Sequence, residues 1–295
     1  MNITGKFLII VTTSFYLYSA QDLQVCTPKG TEYKLIETMS YEQILETLNS
    51  RNNNKFTSIA WNEQSKLLAT GYEDGSIIIW DIYNKDQISK FADHKQCITG
   101  LSWSLDGRTL ASSSLDGSIG IYDSYNKVVK LQSVSGCQSR LYSVALSPDA
   151  KFVAVGASNT AIEIWDIKKK SPIKVLCAHD GTIYSLAWSP NGKFLASGSY
   201  NGGIQIWDLE KGHSFKELIK GHQSLVSSLY WSDNGDKIIS GSYDKTIKVW
   251  DTISYQEINS LQNNSKVIGV TYFDNENEIV SCSKNSTIKI WQKVK

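Results

Sequence analysis

Little in this chain of 295 residues offers the raw material of chemistry. It has four histidines, five cysteines, four prolines and two methionines. Lys and Arg number 30 against 29 Asp and Glu, a formal net charge of +1. That near-balance gives no basic field for nucleic acid and none for an anionic membrane surface. The cysteines Cys26, Cys97, Cys137, Cys177 and Cys282 are odd in number. They keep no common phase against any other feature, so they form no disulfide framework, and a reducing compartment is expected. No P-loop, HExxH, paired Cys motif or Ser-His-Asp order is present, and Cys177 with His179 is two ligands short of a zinc site. An enzyme is not expected, nor is a cofactor or a metal. The one long apolar run, Phe7 to Tyr18, is too short and too rich in Thr and Ser to read as a membrane span.

What the chain does have is aromatic residues, nine Trp and fifteen Tyr, and 41% hydrophobic content, enough to bury a full core. They fall in a repeat. Its clearest copy runs from Gly221 to Asp251, GHQSLVSSLYWSDNGDKIISGSYDKTIKVWD. Three short β-branched runs, Leu225 to Trp231, Lys237 to Gly241 and Thr246 to Trp250, are separated by turn residues, which predicts three strands. Closing aromatics recur at Trp80, Tyr122, Trp165, Trp207, Trp250 and Trp291, at spacings of 42, 43, 42, 43 and 41. Counting back 28 residues from each gives Asn52, His94, Cys137, His179, His222 and Asn263. Counting back ten gives Thr70, Ser112, Val155, Ser197, Ser240 and Ser281, and counting back six gives Asp74, Asp116, Asn159, Asn201, Asp244 and Asn285.

Several independent columns at one period make the chain similar to the WD40-repeat family over residues 50–295. The resemblance implies an all-β fold, a β-propeller of four-stranded WD40 blades, with six recognisable repeats. It also implies a structural hydrogen-bond chain from the Trp indole through the Ser or Thr hydroxyl and the His to the turn Asp. Only His222, Ser240, Asp244 and Trp250 supply all four types; buried polar groups need partners, and a satisfied chain of this kind stiffens its blade. Three histidines thus sit in a structural slot, and His213 falls in a turn after Trp207-Asp208.

The N-terminal region reads as two segments. Residues 1–20 fit either a secretory signal cleaved before Gln21 or a worn strand, since Gly5-Lys6-Phe7-Leu8 echoes Gly192-Lys193-Phe194-Leu195. Residues 21–49 read as a degenerate half-repeat. Thr38 to Ile44 aligns with Thr252 to Ile258, which places Glu32 to Ile36 as a third strand with Ile36 in the Trp slot, and Gln43 to Leu48 as the outer strand given to the last blade. Six blades follow from the residues; seven follow if the half-repeat forms a thin blade of its own.

In this family binding sites gather on the loops of one face. The top face should hold Lys55, Cys97, Arg140, Thr182, Leu225 and Lys266, three past the His slot. It should also hold Glu73, Leu115, Ser158, Tyr200, Tyr243 and Lys284, just before the turn Asp or Asn. Arg140, Tyr200 and Tyr243 are types enriched in interface hot spots, and Tyr142 and Tyr184 are placed at the channel mouth. The expected function is a non-catalytic scaffold, a monomer within a complex, binding a protein or peptide on that face. It would act in the cytoplasm or nucleus, with no nucleic-acid partner and no membrane unless residues 1–20 remain as an anchor. The alternatives are a secreted or luminal propeller, with glycosylation at the sequon Asn263-Asn264-Ser265 as its mark, and a piece of a larger WD40 protein.

Overall fold

In the computed structural model the described residues are 33–40, 55–62, 64–81, 84, 86–123, 128–132, 140–177, 179–209, 213–218, 221–273, 277–285 and 287–293. They form 24 strands in six antiparallel sheets of four. Strand β1 is Tyr33–Ser40. Blade 1 comprises β2 (Phe56–Asn62), β3 (Leu67–Tyr72), β4 (Ile77–Asp81) and β5 (Asp86–Phe91). Blade 2 comprises β6 (Ile98–Trp103), β7 (Thr109–Ser114), β8 (Ser118–Asp123) and β9 (Val128–Gln132). Blade 3 comprises β10 (Leu141–Leu146), β11 (Phe152–Ala157), β12 (Ala161–Asp166) and β13 (Ser171–Cys177). Blade 4 comprises β14 (Ile183–Trp188), β15 (Phe194–Ser199), β16 (Ile204–Asp208) and β17 (His213–Leu218). Blade 5 comprises β18 (Val226–Trp231), β19 (Lys237–Ser242), β20 (Thr246–Asp251) and β21 (Glu257–Gln262). The last sheet, blade 6, joins β22 (Val267–Phe273), β23 (Glu278–Ser283) and β24 (Thr287–Lys293) to β1.

The second strand of each blade is buried on both faces and reads as a continuous apolar or small-residue run, while the third strands of blades 3 to 6 alternate around Glu163, Gln205, Lys248 and Lys289. Leu67–Tyr72 is buried at every position, and so is Glu278–Ser283. The cores lie between blades rather than within them. Ala60, Ile77 and Ile79 of blade 1 pack with Ile98, Leu101 and Tyr122 of blade 2. The same pairing recurs between blades 2 and 3, 3 and 4, 4 and 5, and 5 and 6. A sixth cluster sets Leu68, Tyr72, Ile78 and Trp80 of blade 1 against Ile268, Val280, Cys282, Ile288 and Ile290 of blade 6. That contact closes the ring. A fully buried large apolar side chain contributes about 1.5–3 kcal/mol, so opening this nine-residue seam would forfeit an amount comparable to a whole domain's stability of about 5–15 kcal/mol.

Polar bonds fix the same neighbour relations. Hydroxyls on the inner strands donate to the first inner-strand carbonyl of the next blade: Thr57 to Ile98, Thr99 to Leu141, Ser143 to Ile183, Ser185 to Val226 and Ser227 to Val267. Lower on the same strands, the indoles of Trp103, Trp188 and Trp231 donate to Ala60, Ala145 and Ala187 of the preceding blade. The inner strand of every blade is bulged one residue after its start, at Thr57, Thr99, Tyr142, Tyr184, Ser227 and Ile268. A bulge re-aims the side chain it carries. The tight turns also need special backbone: Gly202 sits at φ 84°, and a Cβ there would strike the His222 carbonyl of the next blade.

The N-terminal expectations need correction. The strand that completes the last blade is Tyr33–Ser40, paired antiparallel with β24 from Tyr33 opposite Lys293 to Ser40 opposite Thr287. Ile36 therefore does not stand for Trp in a third strand running from Glu32 to Ile36, because Tyr33–Ser40 hydrogen-bonds as an outer strand; Glu32 itself lies outside the described residues. Gln43 to Leu48, the expected donor, lies outside the described residues, as do residues 1–20. The misreading came from the Thr38–Ile44 echo of Thr252–Ile258, a local likeness with no information on which edge a strand joins. His213 is also misplaced in a turn: it opens β17, opposite Asp208. Six blades stand among the described residues.

Consecutive residues of an antiparallel strand point their N–H groups to opposite sides, so replacing Thr38 and Met39 together with Pro removes one donor facing β24 wherever the phase falls. The expected outcome is a thermal midpoint lowered by about 4 °C or more, the drop that about 2 kcal/mol produces in a protein near this size. An unchanged melting curve would show that β1 contributes nothing to closure.

Candidate functional site: the upper rim and the chains beneath it

Three of the blades carry the expected histidine, and each uses it differently. In blade 5 the His222 ring bridges Asp244 at 2.9 Å through Nδ1 and Ser240 at 2.7 Å through Nε2, and the Trp250 indole donates to Ser240 at 2.8 Å. An ionised Asp244 only accepts, so Nδ1 carries the proton, Nε2 accepts from Ser240, and the hydroxyl accepts from the indole in turn. Burial alone would raise the Asp244 carboxyl; the bonds from His222, Thr246 and the Gln223 amide outweigh it and hold the group well below the usual carboxylate range.

In blade 2 His94 reaches Ser112 at 2.6 Å and Ser118 at 2.8 Å, with Asp116 farther off at 3.5 Å and Tyr122 standing where the indole is. In blade 4 His179 meets Ser197 at 2.7 Å, and Trp207 donates to that same hydroxyl at 2.8 Å. The turn residue there is Asn201, which offers no charge to an imidazolium. Burial pushes His179 down to about 4, with Asp180 offsetting part of the drop.

The blades without histidine substitute other groups. Trp80 donates to Thr70, which lies 3.2 Å from the Tyr72 hydroxyl. Val155 has no hydroxyl to accept from Trp165; the buried Glu163 carboxylate, one strand over, accepts instead at 2.9 Å. Trp291 donates to Ser281, and beside it Asn263 donates to Ser283 and to the Ser265 carbonyl. Tyr72 and Glu163 were not singled out in the sequence, because neither occupies a repeat column. Asn263 is only 2% exposed, and its side-chain amide is committed to these bonds, so in the folded protein it is not open to a glycan.

Above these chains, the two sets of rim residues meet one to one. The amides of Glu73, Leu115, Ser158, Tyr200, Tyr243 and Lys284 donate to the carbonyls of Lys55, Cys97, Arg140, Thr182, Leu225 and Lys266, each at 2.8–3.0 Å. The side chains divide into two groups. On blades 3 and 4, the bulge residues Tyr142 and Tyr184 have ring centroids 5.0 Å apart, and Tyr200 follows at 6.3 Å. Tyr200 is 60% exposed, and Arg140, also exposed, has no ion-pair partner among the described residues. Around the other side, Tyr243 is half-buried against the seam of blades 1 and 6, with the Lys266 ammonium 5.1 Å from its ring centroid. Lys55 and Glu73 pair at 2.9 Å, both partly exposed, a contact of about 0–1 kcal/mol. Lys284 is half-buried, and its amide donates to the Lys266 carbonyl.

Comparison with known proteins agrees with this architecture. The family described as WD domain, G-beta repeat matches residues 85–123, 128–166, 170–208, 213–251 and 255–292, more than half of the chain. The chain belongs to the WD40-repeat family, whose propellers generally serve as non-catalytic scaffolds for protein partners. Residues 19–98 match the anaphase-promoting complex subunit 4 WD40 domain. A 58-residue stretch is 41% identical to the general transcriptional corepressor TUP1 of Saccharomyces cerevisiae, covering 19% of this chain and 8% of the corepressor. A chain in the crystal structure of a mitotic checkpoint complex superposes with TM-score 0.73 at 21% identity, over 82% of this chain and 75% of its own, a likeness of fold. Each matched repeat begins on the outer strand of one blade and ends on the closing aromatic of the next, so the sequence unit and the blade are offset by one strand. Among the described residues no cluster of side chains is set to hold a metal ion, and no helix is long and apolar enough to cross a membrane.

His222→Ala should destabilise the protein by about 1–3 kcal/mol, because it leaves the buried Ser240 O–H without its acceptor and takes one bond from the Asp244 carboxylate; denaturant titration measures it, and unchanged stability would refute the role. His179 gives a pH signature. Its folded pKa lies below the unfolded value of about 6.5, so protonation favours the unfolded chain, and stability present above pH 6.5 is lost as the pH falls toward 4. The loss reaches at most about 3 kcal/mol, and His179→Gln should flatten the slope of urea-unfolding free energy between pH 7 and pH 4.5.

Proposed function

We propose that this propeller is a non-catalytic interaction scaffold that binds a peptide or partner protein across the upper rim of blades 3 and 4. The observation that carries the reading is the row Tyr142, Tyr184 and Tyr200, with Arg140 exposed two residues before Tyr142 and without an ion-pair partner among the described residues. Tyrosine offers a large contact area at little entropic cost, and an exposed guanidinium offers directional donors; both are typical of residues that dominate interface energetics. Lys55, Glu73, Tyr243, Lys266 and Lys284 form the flank of the same rim, where paired charges contribute less to affinity than to the choice of partner. The hydroxyl and imidazole groups that might suggest catalysis are spent on one another beneath the rim.

The protein acts in the cytoplasm or nucleus in this reading. Its support is the likeness to a corepressor and the free thiols of Cys97, Cys177 and Cys282. It works as one member of a complex, with neither nucleic acid nor membrane as its direct ligand. The buried Asn263 counts against the luminal alternative.

Affinity capture of the tagged full chain from its own cells, beside an Arg140→Ala/Tyr200→Ala variant, tests the site. Both side chains are exposed, so the variant should melt as the parent does. A stoichiometric partner lost at least tenfold in the variant is the expected result; a partner retained in full would move the site to another face.

A further inference from the structure

The channel holds a second candidate site at its opposite end. The inner strands β6, β10, β14 and β18 line a cavity of about 340 Å³, within the range of roughly 300–1,000 Å³ typical of ligand clefts. Its wall is aromatic: Trp103, Tyr142, Tyr184, Trp188, Tyr230 and Trp231. Among its lining residues Asp233 alone bears a charge. We propose that the lower mouth of this channel binds an arginine side chain of a partner protein, with Asp233 receiving the guanidinium and the tryptophan and tyrosine rings flanking it.

The turns after the inner strands make the case. Each opens on a serine, Ser104, Ser147, Ser189 or Ser232, and the next residue stands at the mouth: Leu105, Pro148, Pro190 and Asp233. On these four strands three apolar residues and one carboxylate thus occupy equivalent places; the equivalents in the other two blades, Glu63 and Asp274, lie outside the described residues. The other acids of these turns are engaged: Asp106 with Ser104 and, at 3.9 Å, Arg108; Asp149 with Ser147 and, at 3.0 Å, Lys151; Asp236 with Ser232 and, at 3.7 Å, Lys237. Asp233 is exposed and has no ion pair or hydrogen bond among the described residues. Nearby, Leu105 is 66% exposed and Tyr230 37%, so apolar surface lies open beside an unpaired negative charge. After burial, the Asp233 charge is what holds the Tyr230 phenol above its ordinary range, which sets carboxylate and ring close together.

The indole N–H groups of Trp103, Trp188 and Trp231 are already bonded to carbonyls of neighbouring blades. What these rings offer the channel is their π surface, held in place. A cation over such a surface is attracted by its quadrupole, and a planar guanidinium stacks on it while forking its donors toward a carboxylate. An anion would meet Asp233, and a neutral apolar group would leave that carboxylate partly desolvated and unpaired. The site is independent of Arg140 and Tyr200, which lie on the other rim.

The test titrates the full chain with the peptide N-acetyl-Gly-Arg-Gly-amide and with its citrulline analogue, the neutral isostere, reading tryptophan fluorescence and heat. Saturable binding of the arginine peptide at least tenfold tighter than the citrulline peptide is expected, weakening as salt rises. Asp233→Asn should remove that preference, and Tyr230→Ala should weaken the arginine peptide alone, while both variants keep the parent's thermal midpoint. The Arg140→Ala/Tyr200→Ala variant should bind the peptide as the parent does, whatever the fate of the upper-rim reading. No saturable binding, equal affinity for the two peptides, full retention in Asp233→Asn, or loss in the upper-rim variant would each overturn the proposal.

Discussion

A four-stranded twisted sheet whose second strand presents apolar or small residues on both faces cannot exist alone in water. It needs one like neighbour on each side, and the neighbours need theirs, so the only arrangement without two exposed faces is a ring. Every other feature depends on that closure. The six clusters between blades hold the large side chains, and the last of them joins the first repeat to the final one across more than 200 residues of chain. The strand Tyr33–Ser40, added to the edge of blade 6, makes that closure partly a matter of backbone hydrogen bonds as well as of packing.

Within this frame the polar chains under the upper rim act as fasteners rather than reagents. Indole, hydroxyl, imidazole and carboxylate are matched so that each donor has one acceptor, and the match varies blade by blade. Where histidine is missing, Tyr72 or Glu163 fills the same need from a different strand. The variation shows that the constraint is satisfaction of the buried indole N–H, not the identity of its partner. It also means the blades are not equivalent in acid: blade 5 pairs its imidazole with a carboxylate, and blade 4 keeps its imidazole neutral.

Rigid walls leave the two ends of the channel to differ in chemistry. The bulges at Tyr142 and Tyr184 bring phenol rings of adjacent blades to 5.0 Å at the upper end, two residues along from the exposed Arg140. At the lower end Asp233 is the one carboxylate among the described lining residues, standing among prolines, leucine and indoles. The signs are opposite, so the two mouths would select different partner segments.

Much of this was legible in the residues. Closing aromatics at a period near 42, with hydroxyl, turn and histidine columns in fixed phase, determined the fold class, the six recognisable repeats and the four-member chain in blade 5, because those features are local to one repeat; they left six or seven blades open. The rim positions followed from phase too, and the structure pairs all twelve through backbone bonds. What the sequence could not supply were relations between distant segments. Strand edges carry no marker of the strand they will meet, so Glu32 to Ile36 read as the third strand of its own worn repeat, whereas the sheet of blade 6 claims Tyr33–Ser40. Whether Asn263 was open to a glycan could not be read either, because burial is not written in a tripeptide. Tyr72 and Glu163 stood in no column, and Asp233 was one turn residue among many until the ring curved its three apolar equivalents toward it. Periodicity fixes what each repeat is; only closure of the ring decides which side chains from different repeats face one another.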